Sequence, residues 1–405
     1  MKQSLLRSWF FLSLFLVFLE ANTHTEGLAY LNTIREQAGL IKLKSDQALQ
    51  KAAASHANYL IRHQSSGHYE KKGQGAYTGD TPSQRIVKAG YPATFVMENI
   101  SVNTPGEAEA IDNLFSAIYH RFVFLNLDKD EIGIGFASSK KKRSINSAYV
   151  YDLGSSTISK LCQRSFSMTP GVYYMKDLCK KRSKMVPMHL FREQKEAVQR
   201  KNRDIILYPY ADQSNIWPAF YNEAPHPLPG YKVSGFPVSV QFNPAYYQSV
   251  RLRSFRLYDE AGKEIKAVKI LQHSNDHNHL LSEFEFALMP LHRLEFGTGY
   301  TAVFEALADG RMIKERWSFS TVKPKEDLYR VTDDKAHLRV KAGSTILLYM
   351  VPGSKEDILY RYSSRGEVKA SFLDQNTLKV TFPKRRSSGK VRLDFGKKKV
   401  SFDVQ

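Results

Sequence analysis

The sequence predicts an α+β chain of several domains. Its 405 residues are too many for one ordinary core. The first third carries apolar residues at helical spacing, interrupted by short β-rich stretches. From about residue 231 the pattern becomes alternating and is divided by Gly and Pro turns. The expected divisions are a leader over 1–21, a mixed domain over 27–154 and a basic insertion with a Pro-rich linker over 155–230. A β-sandwich over 231–323 and an all-β domain over 326–405 complete the chain.

Lys2 and Arg7 precede the apolar run 9–19, and Ala21 offers a small residue for cleavage. This reads as a secretory signal. The run is short for a membrane span, and an uncleaved amino-terminal anchor is the alternative. No lipobox Cys follows, so lipoprotein anchoring is not expected; with the signal and no other apolar segment long enough to span, the mature chain is expected in the periplasm, the cell envelope or the medium.

The first helix is expected over 27–37, ended by Gly39. The second follows a cap at Ser45 and places Leu49, Ala52, Ala53, His56, Ala57 and Leu60 on one face. His56 within that stripe reads as a packed core histidine rather than a ligand. His63, near the helix end, is an alternative ligand. Residues 67–79 are Gly-, Ser- and Lys-rich, so His68 and Glu70 sit on a loop. Thr81-Pro82 starts another helix. Glu98 follows a β-rich stretch. A helix over 107–119 would put His120 at its carboxyl end, where the helix dipole favours a cation. Strands near 132–137 and 148–153 close this domain.

Cys162 and Cys179 are the only cysteines. In an oxidising compartment such a pair most simply forms one disulfide. Past the Pro-rich stretch, strands are expected at 236–242, 254–257, 284–288, 301–306 and 316–321. Strands at this spacing point to a β-sandwich. The loop 273–279 holds three His and one Asp and reads as a polar hairpin loop rather than a metal site. Further strands are expected at 337–340, 345–350, 371–373, 378–382 and 391–395.

The formal net charge is +19. It bears on partners rather than on fold. An anionic envelope polymer, a lipid headgroup or a host surface would suit it. Nucleic acid does not suit an exported chain without a nucleic-acid motif. The basic runs Lys180-Lys181-Arg182 and Lys384-Arg385-Arg386 are the candidate contacts. Their plainer reading is a solvated connector and a protected strand edge.

Three short segments carry the chemistry: His68-Tyr69-Glu70, Glu98-Asn99-Ile100 and Tyr119-His120-Arg121. Two imidazoles and two carboxylates, brought together, can hold a divalent metal or move a proton. Around them stand Tyr77-Thr78-Gly79-Asp80-Thr81-Pro82, Arg85 with Ala89-Gly90-Tyr91, and Glu131-Ile132-Gly133-Ile134-Gly135. In that order and spacing they resemble the bacterial branch of the CAP superfamily, the SCP-like extracellular proteins. The resemblance covers about 27–154. It implies an α-β-α sandwich with a shallow cleft lined by His and Glu. His68, Glu98 and His120 match the family's cleft residues. The second Glu of animal and plant members has no clear counterpart, and Glu70 stands in for it. Residues 235–322 also resemble bacterial Ig-like domains through the ending Trp317-Ser318-Phe319-Ser320-Thr321.

These resemblances imply a secreted or envelope protein whose cleft binds a divalent metal, with zinc the candidate, or a lipid or other envelope ligand. A metal-assisted hydrolase with Glu98 as general base is one alternative. A structural adhesin using its basic β-domains is another. No P-loop, Gly-x-Ser-x-Gly elbow or His-Glu-x-x-His motif is present in the sequence.

Overall fold

The computed structural model describes residues 26–141, 143–384 and 391–405; the expected leader, Arg385 and Arg386 lie outside the described residues. Helix α1 spans 26–38 and ends at Gly39, whose φ of +95° is left-handed. Strand β1 (Lys44–Ser45) leads into α2 (Gln47–His63). The cap of α2 is Asp46 rather than Ser45: its carboxylate accepts the Leu49 amide at 2.9 Å. A negative charge suits the positive end of a helix. Helix α3 (Pro82–Ala89) is capped by Thr81, with Pro82 in its first turn.

Next come β2 (Met97–Val102), α4 (Glu107–Ser116), α5 (Ile118–Phe124), β3 (Glu131–Ser138) and β4 (Ser147–Gly154). The sheet order is β1-β3-β4-β2, so β2 is an edge. Alternation along the strands sorts the residues into two faces. Ile132, Ile134, Tyr151 and Leu153 pack with Leu31, Ile34, Ile111 and Phe115 of α1 and α4. Ala137, Ala148 and Val150 pack with Ala53, Ala57 and Leu60 of α2. The result is a three-layer α-β-α arrangement.

The single helix expected over 107–119 is two helices. Ala117 is extended (φ −88°, ψ 116°) and separates α4 from α5. His120 therefore lies in the first turn of α5, not at a carboxyl end.

Residues 155–203 are more ordered than a basic connector. They contain α6 (Ser156–Gln163), the short strands β5 (Tyr174–Met175) and β6 (Val186–Pro187), and α7 (Met188–Gln199). Cys162 and Cys179 form the expected disulfide. Ile158, Leu161, Leu178 and Val186 pack with Leu49, Ile86 and Tyr91, so the insertion is fastened to α2 and α3.

The extended linker expected over the following residues is corrected by the structure. Strands β7 (Ile205–Tyr208) and β8 (Gln213–Ile216) each enter a sheet, and β9 (Ala219–Phe220) pairs with β10 (Ser234–Gly235). Ile206, Tyr208 and Ile216 are buried there, which is why the segment does not remain an exposed spacer. The other strands are β11 (Val238–Phe242), β12 (Val250–Asp259), β13 (Ala267–Gln272), β14 (Glu285–Pro290), β15 (Gly299–Ala308) and β16 (Arg311–Thr321). They form two four-stranded sheets, β13-β14-β11-β7 and β12-β15-β16-β8. The sheets pack face to face: the Phe304 ring lies 5.8 Å from Phe242 and 5.5 Å from Phe286.

This sandwich shares its core with the α-β-α unit. The Phe115 ring stacks on Tyr208 at 4.7 Å. The buried Arg121 guanidinium lies 4.9 Å from the rings of both Tyr208 and Phe236 and donates to Ser239 Oγ at 3.0 Å.

The last part builds two more four-stranded sheets. One joins β17 (Asp327–Val331), β19 (Thr345–Met350), β22 (Thr377–Thr381) and β21 (Lys369–Asp374). The other joins β18 (Lys335–Val340), β24 (Lys399–Val404), β23 (Val391–Asp394) and β20 (Ser363–Arg365). Leu348, Leu378, Val391 and Phe402 belong to a separate core between them. Arg293 ties this part to the sandwich through Asp374 at 2.5 Å. Among the described residues, no helix is long and apolar enough to cross a membrane.

Candidate functional site

The site grows around the edge strand β2. Glu98 points to the face covered by α2 and α3, and Asn99 to the other. His68, on the loop after α2, hydrogen-bonds through Nδ1 to Glu98 Oε1 at 2.8 Å. Arg85 of α3 approaches the other oxygen: Nη2 donates to Glu98 Oε2 at 2.6 Å. Its Nη1 donates to the His68 carbonyl at 2.8 Å, so one guanidinium holds both the carboxylate and the loop. Burial pushes the Glu98 carboxyl up, but the His68 hydrogen bond and the Arg85 charge outweigh it and hold it below the ordinary range.

Glu70 does not join His68. It turns back to His56, whose Nδ1 lies 2.9 Å from Glu70 Oε1, both side chains being fully buried. The Thr78 amide donates to Glu70 Oε2 at 2.6 Å, and the Thr78 hydroxyl reaches both oxygens. Here too burial raises the carboxyl, and the His56 and Thr78 hydrogen bonds with Arg85 bring it below its usual value. His56 is thus a core histidine, as the stripe implied, but one that fixes a carboxylate.

Behind Glu98 lies Asp152, its register partner on β4. Asp152 is fully buried and neither carboxyl oxygen has a hydrogen-bond partner among the described residues. Burial and then the Glu98 charge push its pKa well up, so it is held as the neutral acid. The folded state therefore binds this proton more tightly than the unfolded chain. The contribution to stability is complete below about pH 3.9, the unfolded value, and is lost as pH rises above it. Asp152→Asn has no proton to lose. It should gain more than about 1 kcal/mol on wild type between pH 4 and pH 8. Urea unfolding at both pH values checks this, and a constant difference between the two proteins would refute it.

His120 has a partner from outside the segment that carries the motifs. Its Nδ1 lies 3.0 Å from Glu223 Oε2. The same carboxylate accepts the amides of Ile118 at 2.7 Å and Tyr119 at 3.0 Å. Glu223 thus caps α5 and orients its third residue. Asn99 donates to the His120 carbonyl at 2.9 Å from the far face of β2. Tyr119 donates its hydroxyl to Asp276 at 2.5 Å, and Asn278 donates to Tyr119 at 3.0 Å. The His-rich loop over 273–279 is therefore a polar latch onto α5. No periodicity or motif marks Glu223 in the sequence. It stands in a Pro-rich stretch 103 residues from His120.

The four residues expected as metal ligands thus form separate pairings. Both oxygens of Glu98 are committed to His68 and Arg85, and those of Glu70 to His56 and Thr78. Among the described residues no three His, Cys, Asp or Glu side chains come together to hold a metal ion. A four-residue zinc site does not fit these pairings. Nε2 of His68 and Nε2 of His120 have no hydrogen-bond partner among the described residues, and their side chains are 36% and 16% exposed. With Nδ1 directed at a carboxylate, Nε2 is the ring nitrogen that each imidazole leaves to meet a ligand. Of the candidate basic contacts, Lys180, Lys181, Arg182 and Lys384 are exposed.

Residues 28–151 match the family model CAP, described as the cysteine-rich secretory protein family. That segment is a CAP domain. A comparison with curated proteins finds no match. Among solved structures, the chain is similar to an outer surface protein from Borrelia burgdorferi. The identity is 20%, covering 33% of this chain and 92% of that one, with a TM-score of 0.29. It is also similar to an extracellular protein containing an SCP domain from Bacillus anthracis str. Ames. There the identity is 20%, covering 31% of this chain and 37% of that one, with a TM-score of 0.26. A titin fragment is similar at 15% identity over 50% of this chain and 98% of that one, with a TM-score of 0.16.

Proposed function

We propose that the protein works outside the cytoplasm as a binding protein whose CAP-domain cleft takes a lipid or other cell-envelope ligand. One observation carries this reading. His68 and His120 each have Nδ1 against a buried carboxylate and Nε2 without a protein partner among the described residues. Two imidazoles fixed in this way are oriented recognition groups. The disulfide supports an oxidising compartment. The excess of positive charge suits an anionic envelope polymer or lipid. The β-domains, including an Ig-like sandwich, act as spacers that hold the cleft away from the attachment surface. Glu98 is poorly suited to general-base chemistry. Arg85 and His68 hold its carboxyl below the ordinary range, which makes it a weak base, and both oxygens are engaged.

A second reading is favoured by the carboxylate behind each imidazole, an arrangement common behind metal-binding His. The two Nε2 atoms would hold a divalent metal, with solvent completing its shell.

One experiment tests both. The imidazole nitrogens of His68 and His120 are followed by NMR as zinc chloride, phospholipid vesicles and soluble peptidoglycan fragments are added in turn. A vesicle or glycan probe should shift both rings. His68→Ala or His120→Ala should weaken that binding by about tenfold or more, the value of one good polar contact. Response to zinc alone would select the metal reading. Rings unmoved by every probe would overturn the cleft as a binding site.

A further inference from the structure

We infer that the disulfide-stapled insertion between α6 and α7 docks on an anionic lipid bilayer. This rests on the extracytoplasmic reading above and concerns residues other than those of the His cleft. Between α6 and α7, residues 164–187 hold 6 Lys or Arg against 1 Asp, a net +5 within a chain of +19. Arg164, Lys176, Lys180, Lys181 and Arg182 are exposed. Between Arg164 and Lys176 stand two exposed apolar side chains, Met168 at 64% and Tyr173 at 82%.

The loop that presents them is braced. The Val172 amide donates to the Thr169 carbonyl at 3.3 Å. Tyr174 Oη accepts the Thr169 amide at 2.8 Å and donates to the Ser167 carbonyl at 3.2 Å. Lys184 Nζ donates to the carbonyls of Cys162 at 2.5 Å and Arg164 at 2.7 Å. The Cys162–Cys179 bond closes the base. Little ordering remains to oppose docking.

The apolar pair distinguishes a bilayer from a soluble polymer. A polyanion needs only the charges. At a bilayer, a Tyr ring sits at headgroup level and a Met side chain reaches the acyl boundary, while each Lys or Arg near an anionic surface adds about fivefold in affinity.

The full chain is sedimented with vesicles of phosphatidylcholine alone, or mixed equally with phosphatidylglycerol. A parallel measurement uses soluble dextran sulfate. Wild type should bind the mixed vesicles and ignore pure phosphatidylcholine. Lys180→Ser with Lys181→Ser and Arg182→Ser should lower vesicle binding by about tenfold or more. Met168→Ser with Tyr173→Ser should also lower it by about tenfold, leaving dextran sulfate binding unchanged. Both apolar residues are exposed, so circular dichroism of that variant should match wild type. Absent vesicle binding, or an apolar variant that binds vesicles like wild type, overturns the inference. If dextran sulfate alone is bound, the partner is a polymer; this inference then fails while the extracytoplasmic binding reading stands.

Discussion

Arg85→Met is expected to destabilise the protein by about 3–5 kcal/mol, the usual cost of removing one partner from a buried ionic cluster. Arg85 is buried beside two carboxylates, with Nη2 2.6 Å from Glu98 and Nε 3.8 Å from Glu70. Without it, Glu98 must stay ionised on its His68 contact, and Glu70 on His56 and Thr78, or both must take up protons. The pH dependence follows from the depressed pKa of both groups. Their stabilisation is present above about pH 4.3, the unfolded value, and is lost as pH falls through the folded value. The gap between wild type and variant should therefore be widest near pH 7 and narrow towards acid. Urea unfolding across that range measures it. An equal loss at every pH would mean that Arg85 acts by packing alone. Adding Glu98→Gln should recover part of the loss, since the two side chains touch and their effects should not add.

Gly135→Ala should cost more than about 3 kcal/mol, at the upper end for overpacking. A Cβ at that position would lie 2.1 Å from Ala53 C and 2.2 Å from Ala54 N; at Gly133 it would lie 2.0 Å from Leu49 C and Gln50 N. These are backbone atoms of α2, and no rotamer change relieves the clash. The helix would have to lift off β3. Because α2 carries His56, the His56–Glu70 pair would separate with it. Thermal unfolding with NMR of the His56 ring checks both effects. A soluble variant melting within about 5 °C of wild type, with that ring unchanged, would refute the close-contact account.

Parts of this molecule are legible in the sequence because one local rule suffices. Apolar spacing places α2, and a β-rich run between Gly299 and the Asp309-Gly310 turn places β15, whose buried side chains recur at every second position. The Gly133-Ile134-Gly135 spacing, one piece of the family resemblance, has a physical cause in helix–strand contact. The features that escape a sequence reading depend on partners distant in the chain. Ala117 is a good helix former, yet the chain breaks there, and Glu223 takes the next two amides. Arg85 belongs to the run of residues that carries the family resemblance, but nothing local shows its guanidinium directed at two carboxylates. Sequence proximity puts Glu70 beside His68, but the Thr78 amide and His56 draw it to the opposite partner. Strands β7 and β8 are hidden by the surrounding prolines and by their need for partners beyond residue 237.

The grip of Glu223 on α5 makes the joint between the two units and the His120 ring parts of one equilibrium. Any molecule that competes with Glu223 for that imidazole must work against the joint, and its bound form loosens the joint by the same free energy. The relation also runs in reverse. A displacement of the sandwich from α5 would take the Glu223 carboxylate away from that ring.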